Sequence, residues 1–171
     1  PIALKHLEKA AALRPKASRL LRNLGLLHQK TGDEETCIQY LEKAALANPQ
    51  DAVTRELLGR IYRDRNEYKA AAQYYLEMVA LTHGFTDEAI EFGEMLLKGR
   101  LTEPGTKLFT AVIATLEKST DAKKRIVDIC MKYHEWEFSK NLLNSLVRQY
   151  PADFGFEFRL GEVYENLIDF D

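Results

Sequence analysis

Residues 18–51 read SRLLRNLGLLHQKTGDEETCIQYLEKAALANPQD, and the same pattern returns 34 residues later. Leu24-Gly25 and His28 become Leu58-Gly59 and Tyr62. The turn signal Thr31-Gly32-Asp33 becomes Asn66-Glu67. Cys37, Leu41 and Ala44 become Ala71, Tyr75 and Met78. A third pass gives Phe92-Gly93, Leu96, Gly105, Phe109 and Val112. A fourth gives Ile126-Val127, Cys130, Ser139, Leu143 and Leu146. Pro15, Pro49 and Pro151 fall in one phase of this period, with His83 and Glu117 at the two skipped steps. A fixed period of this length marks an array in which each unit repeats one supersecondary structure.

Each unit reads as two helices. Apolar residues at three- and four-residue spacing draw one buried stripe per helix. Gly inside a helix costs about 1 kcal/mol relative to Ala, so Gly25, Gly59, Gly93 and Gly161 point to places where a neighbouring helix comes close. The closing Pro cannot continue a helix and separates one unit from the next. Pro104 is expected at the first residue of its helix, where a missing N–H does no harm.

This pattern resembles the tetratricopeptide repeat family across essentially the whole chain. The resemblance implies an all-α fold: a right-handed superhelical solenoid of antiparallel helix pairs with a 34-residue repeat. The array is expected as one domain, 1–171. It would comprise a lone second helix in 1–17, full repeats at 18–51, 52–85, 86–119 and 120–153, and a lone first helix in 154–171.

The bulk properties exclude several functions. The net charge of −2 and the absence of a continuous basic stripe argue against nucleic acid as a partner. No apolar run approaches a membrane span. There is no phosphate-binding loop, zinc spacing or catalytic triad, so neither catalytic nor metal residues are assigned and no cofactor is expected. Cys37 and Cys130 sit on core slots, and His28 shares its slot with Tyr62 and Tyr164, which assigns all three to packing. Trp136 shares its phase with Tyr68 and reads as packing too. Two scattered cysteines point to a reducing, cytoplasmic setting. The chain starts at Pro1 without Met, so it reads as a cut from a longer protein, with any targeting signal outside it.

The resemblance also implies that first helices line a concave groove for a partner. The matching positions include Arg19, Arg22, Leu26, Arg60 and Arg63, then Ile90, Glu94 and Leu97, then Lys124, Asp128, Met131 and Phe158. Counted over the whole face, the first two units carry four Arg against one Glu. The later ones carry six acids against one Lys, so the face is expected to run from basic to acidic. Ile90, Leu97, Met131 and Phe158 are the expected apolar anchors. A carboxylate clamp of the kind chaperone-binding members use is not supported: its slots hold Leu26, Leu57, Asp87 and Glu91 beside Arg22, and the two acids would repel a carboxylate.

The expected function is a non-catalytic protein–protein interaction scaffold, docking a partner segment or joining subunits of an assembly. The alternative is the regulatory or targeting part of a larger enzyme. The half-units at the two ends are complementary. Leu4, Leu7 and Leu13 at one end, and Leu160, Val163, Tyr164 and Leu167 at the other, are expected to be uncovered and to allow head-to-tail self-association.

Overall fold

The computed structural model describes residues 2–82, 87–116 and 119–168. Its described residues form ten helices and no strand: α1 Ile2–Leu13, α2 Ser18–Lys30, α3 Glu34–Ala47, α4 Ala52–Asp64, α5 Tyr68–Thr82, α6 Asp87–Lys98, α7 Thr102–Thr115, α8 Thr120–Lys132, α9 Trp136–Gln149 and α10 Phe154–Ile168. The fold is all-α, built from the helix pairs the period implies. The chain divides into two compact units, residues 1–83 and 84–171. His83 and Glu117, at the expected unit ends, lie outside the described residues, as do residues 169–171.

In the first unit α2 packs on α3, α4 on α5, and α3 joins the two pairs by packing on α4. Cys37, Ile38, Leu41, Leu58 and Ile61 make one buried cluster there, and Ala11, Leu21, Leu24 and Ala44 another. In the second unit α6 packs on both α7 and α8, and α9 on both α8 and α10. Its cluster is Val127, Leu143, Leu146, Phe156 and Val163.

The turn inside each pair is a recurring backbone device. Gly32, Asn66, Arg100 and His134 all have positive φ (82°, 61°, 59° and 62°) and stand 34 residues apart. Around each, the first helix ends in a Schellman closure. The N–H of Asp33 bonds to the His28 carbonyl and that of Gly32 to Gln29. The same pair of bonds recurs from Glu67 to Tyr62 and Asn66 to Arg63, from Leu101 to Leu96 and Arg100 to Leu97, and from Glu135 to Cys130 and His134 to Met131. Asp33 then caps α3 by accepting from the Thr36 N–H, and these bonds hold its carboxyl below its usual pKa.

The repeat glycines mark close approaches. A Cβ on Gly25 would lie 3.0 Å from Leu41, one on Gly59 3.1 Å from the Tyr75 ring, and one on Gly93 2.3 Å from the Phe109 ring. Val127 takes this slot in the fourth pair and is itself core. Pro104 is the third residue of α7, not the first as expected, because α7 starts at Thr102. The first turn has free N–H groups anyway, so Pro is accommodated there.

The packed assignments of the polar core hold. His28 is buried and stacked on Tyr40 at 5.5 Å, with its Nδ1 3.2 Å from the Asp33 carboxylate. Burial pushes the Cys37 thiol up to about 11 and the Cys130 thiol to about 12, so both stay neutral. Trp136 packs against the second unit's cluster and beside His134.

Candidate partner-binding face

In the first unit the face belongs to α2 and α4. Arg19 and Arg60 are exposed, and Leu26 and Arg63 half-buried. Arg22 donates to the Asp51 carboxylate at 2.5 Å. Asp51 is also the N-cap of α4, accepting from the Thr54 N–H and hydroxyl, so this ion pair ties α2 to the start of α4. Arg63 pairs with Asp64 beside it at 2.9 Å. Val53 adds an exposed apolar side chain one turn before Glu56 and Leu57.

In the second unit the face belongs to α6, α8 and α10, and it differs from the expected acidic surface. Lys132 donates to Glu94 at 2.7 Å, with the Tyr133 hydroxyl at 3.4 Å. Arg159 holds both Asp128 oxygens at 2.6 and 3.2 Å. Arg125 donates to Asp87 at 2.9 Å. Lys124 pairs with Asp153 at 2.5 Å. The bond from Lys132 draws the Glu94 carboxyl below its usual pKa. The bond to Asp128 raises Arg159, and the bond from Lys124 lowers Asp153. Asp87, Glu94 and Asp128, three of the six acids expected on this face, are therefore rungs in a ladder of ion pairs linking successive first helices. Arg125, Lys132 and Arg159 each follow a face position by one residue, and their long side chains swing onto the face. A strict positional template misses them.

The expected apolar anchors also separate. Ile90 and Leu97 are buried, not exposed. The cause is local: α6 is flanked by both α7 and α8, so its apolar stripe is wider than two positions. Leu97 fills the space left by the missing side chain of Gly105, where a Cβ would sit 2.8 Å from its Cδ2. Met131 is half-buried against the second unit's cluster. Phe158 alone of the four stands out, 70% exposed.

Sequence reading did not find a cleft of ≈ 630 Å³ in the first unit, among α3, α4 and α5. Tyr62 and Tyr74 stack in it at 5.5 Å, the Tyr62 hydroxyl donates to Glu42, and Arg55 pairs with Glu77 at 3.2 Å. Burial, and then Glu42 beside it, push the Tyr62 phenol up to about 12. Among the described residues no cluster of His, Cys, Asp and Glu could hold a metal, and no helix is long and apolar enough to cross a membrane.

An array of helix pairs with a recurring Gly slot and Schellman turn defines the class: an all-α repeat protein. One tetratricopeptide-repeat model matches residues 18–51 and a second matches residues 54–92, so these two units are tetratricopeptide repeats. No curated protein matches the chain in sequence. Among solved structures it is similar to MamA, with a TM-score of 0.57 at 15% identity over 98% of this chain and 90% of MamA. It is similar to a tetratricopeptide repeat protein from Parabacteroides merdae ATCC 43184, with a TM-score of 0.57 at 17% identity over 95% of this chain and 64% of that one. It is also similar to YrrB, a TPR protein with an unusual peptide-binding site, with a TM-score of 0.54 at 15% identity over 94% of this chain and 82% of YrrB. At such identities the likeness is one of fold. That fold is a protein-interaction scaffold in general.

Proposed function

We propose that the chain is a non-catalytic scaffold whose first-helix face in residues 1–83 docks an acidic segment of a partner protein. The observation that carries this reading is the exposure of Arg19 and Arg60, with Arg63 beside them, on a unit whose Arg22–Asp51 pair fixes the spacing of the two helices. Leu26 and Val53 supply apolar contact next to the cations. YrrB, of the same fold, is a peptide binder by name, which supports the reading without identifying a ligand.

The test is fluorescence polarisation with a labelled peptide of Glu, Asp and Leu residues, against a Lys-containing control. The acidic peptide should bind, less tightly at higher salt. Arg60→Glu should weaken it mainly through slower association, with helicity unchanged. Equal binding to wild type and Arg60→Glu would overturn the assignment of this face.

A further inference from the structure

The cleft among α3, α4 and α5 repeats an arrangement that the chain builds one period earlier with different charges. In the earlier one, His28 and Tyr40 stack at 5.5 Å, with a Glu8 oxygen 3.7 Å from His28 Nε2. One period later, Tyr62 and Tyr74 stack at the same distance, and Glu42 accepts from the Tyr62 hydroxyl at 3.2 Å. The fourth slot separates the two. In the earlier arrangement it holds Lys43, whose Nζ lies 5.3 Å from the centre of the Tyr40 ring. In the cleft it holds Glu77. An acid stands where the counterpart supplies its own cation. Among the described residues no cation lies over the Tyr62 or Tyr74 ring, and no ion pair includes Glu42.

The charges inside the cleft do not balance. Arg55 is buried and engaged, by Glu77 at 3.2 Å and by the Asp51 carbonyl at 3.3 Å. Glu42 is left with a neutral phenol. Its field reaches both rings: after burial, Glu42 is the next cause that raises the Tyr62 phenol, and Glu42 and Glu77 raise Tyr74 against the opposing Arg55. A ring whose hydroxyl donates to a carboxylate is polarised toward a more negative face, and a cation is drawn to such a face. The combination is local to this cleft. One further period on, the slots of Glu42, Tyr62, Tyr74 and Glu77 hold Leu76, Leu96, Leu108 and Ala111.

We propose that this cleft receives an arginine side chain from a basic segment of a partner protein, with the guanidinium on the tyrosine pair and bonded to Glu42. Leu46, exposed at the cleft, takes an apolar neighbour in that segment. A volume of ≈ 630 Å³ accommodates both. Arginine suits the site better than lysine. Its planar, weakly hydrated head can stack on a ring and bond a carboxylate at once. The site is separate from the Arg19 and Arg60 face of α2 and α4 and takes the opposite charge, so the two are testable independently.

Fluorescence polarisation of the whole chain with a labelled peptide of Arg, Leu and Ala residues tests this. The peptide should bind saturably, less tightly as salt rises. Replacing each Arg by Lys should weaken it, and replacing each by Gln should abolish binding. Glu42→Gln keeps an acceptor for the Tyr62 hydroxyl but removes the charge, so Kd should rise about tenfold with helicity unchanged. Tyr74→Leu keeps apolar packing without the ring and should weaken binding by a similar factor. Arg60→Glu, on the other face, should not weaken it. A wild type that ignores the Arg peptide, a Gln peptide that binds equally well, or a Glu42→Gln chain that binds like wild type would each overturn the proposal.

Discussion

The two compact units meet the same packing problem with different residues. In the first, the α2–α3 and α4–α5 pairs each set a Gly against a bulky side chain, Gly25 against Leu41 and Gly59 against Tyr75, where a Cβ would sit 3.0–3.1 Å away. In the second, Gly93 lies under the Phe109 ring, where a Cβ would sit 2.3 Å from it, and Gly105 receives Leu97, while the next pair dispenses with Gly and buries Val127 with Leu143. The slot is therefore a shared volume between two facing helices. Gly is one solution, needed where the opposing residue is large.

This comparison ranks the glycines, and the ranking is open to test. Gly93→Ala should do the most damage, about 1–3 kcal/mol, because a buried Phe109 ring has nowhere to retreat. Gly59→Ala should be close to neutral, the 3.1 Å contact offsetting the gain of about 1 kcal/mol in helix propensity. Gly161→Ala, with open space around it, should stabilise by that gain. Phe109→Leu should rescue Gly93→Ala in a double-mutant cycle measured by urea unfolding. A Gly93→Ala chain as stable as wild type, or one that Phe109→Leu fails to help, would show that the slots are not shared volumes.

The repeat and its pairing were legible in residues 18–51 because two periodicities coincide there: three-and-four spacing within helices and a 34-residue step between them. The turn was legible at Gly32 and Asn66, which are residue types that accept positive φ. It was silent at Arg100, where only phase, and no residue preference, reveals the same backbone. The candidate face was legible only in part. Its positions are what the family resemblance implies, but exposure does not follow from them. Ile90 and Leu97 are buried because α6 has neighbours on two sides and Gly105 makes room, and both facts lie in other helices.

Those turns give the second, smaller test. Arg100 holds φ 59° on an exposed turn, a conformation that Gly adopts without steric cost and Gly32 already adopts at the matching position of the first unit. Arg100→Gly removes the Cβ penalty but adds backbone freedom to the unfolded chain, so the net gain should be modest, about 0.5–1 kcal/mol. Gly32→Arg should lose a similar amount. Thermal melts of the two variants should move in opposite directions. A fall in Tm for Arg100→Gly would mean that the Arg side chain stabilises the turn in the second unit by more than the strain costs.

The smallest effect separates the two faces. In the first unit Arg22 and Arg63 pair with acids at or near the ends of α4, and in the second Asp87, Glu94 and Asp128 are tied to cations of the next first helix. Glu94 is the clearest rung, half-buried and bonded by Lys132 and Tyr133. The bond from Lys132 holds its folded pKa below the ordinary glutamate value. A lowered carboxylate contributes stability that is complete above that value and is lost as pH falls through the folded pKa. An exposed partner such as Lys132 keeps the contribution small, and smaller still in salt. Lys132→Gln should therefore leave the first unit's face unchanged and lower stability slightly at neutral pH. The difference from wild type should shrink as pH falls through the lowered Glu94 pKa, and added salt should shrink it at neutral pH. A gap between the two unfolding curves that stays constant from pH 7 down through the acid limb would show that Lys132 acts through packing of its methylenes, not through the Glu94 charge.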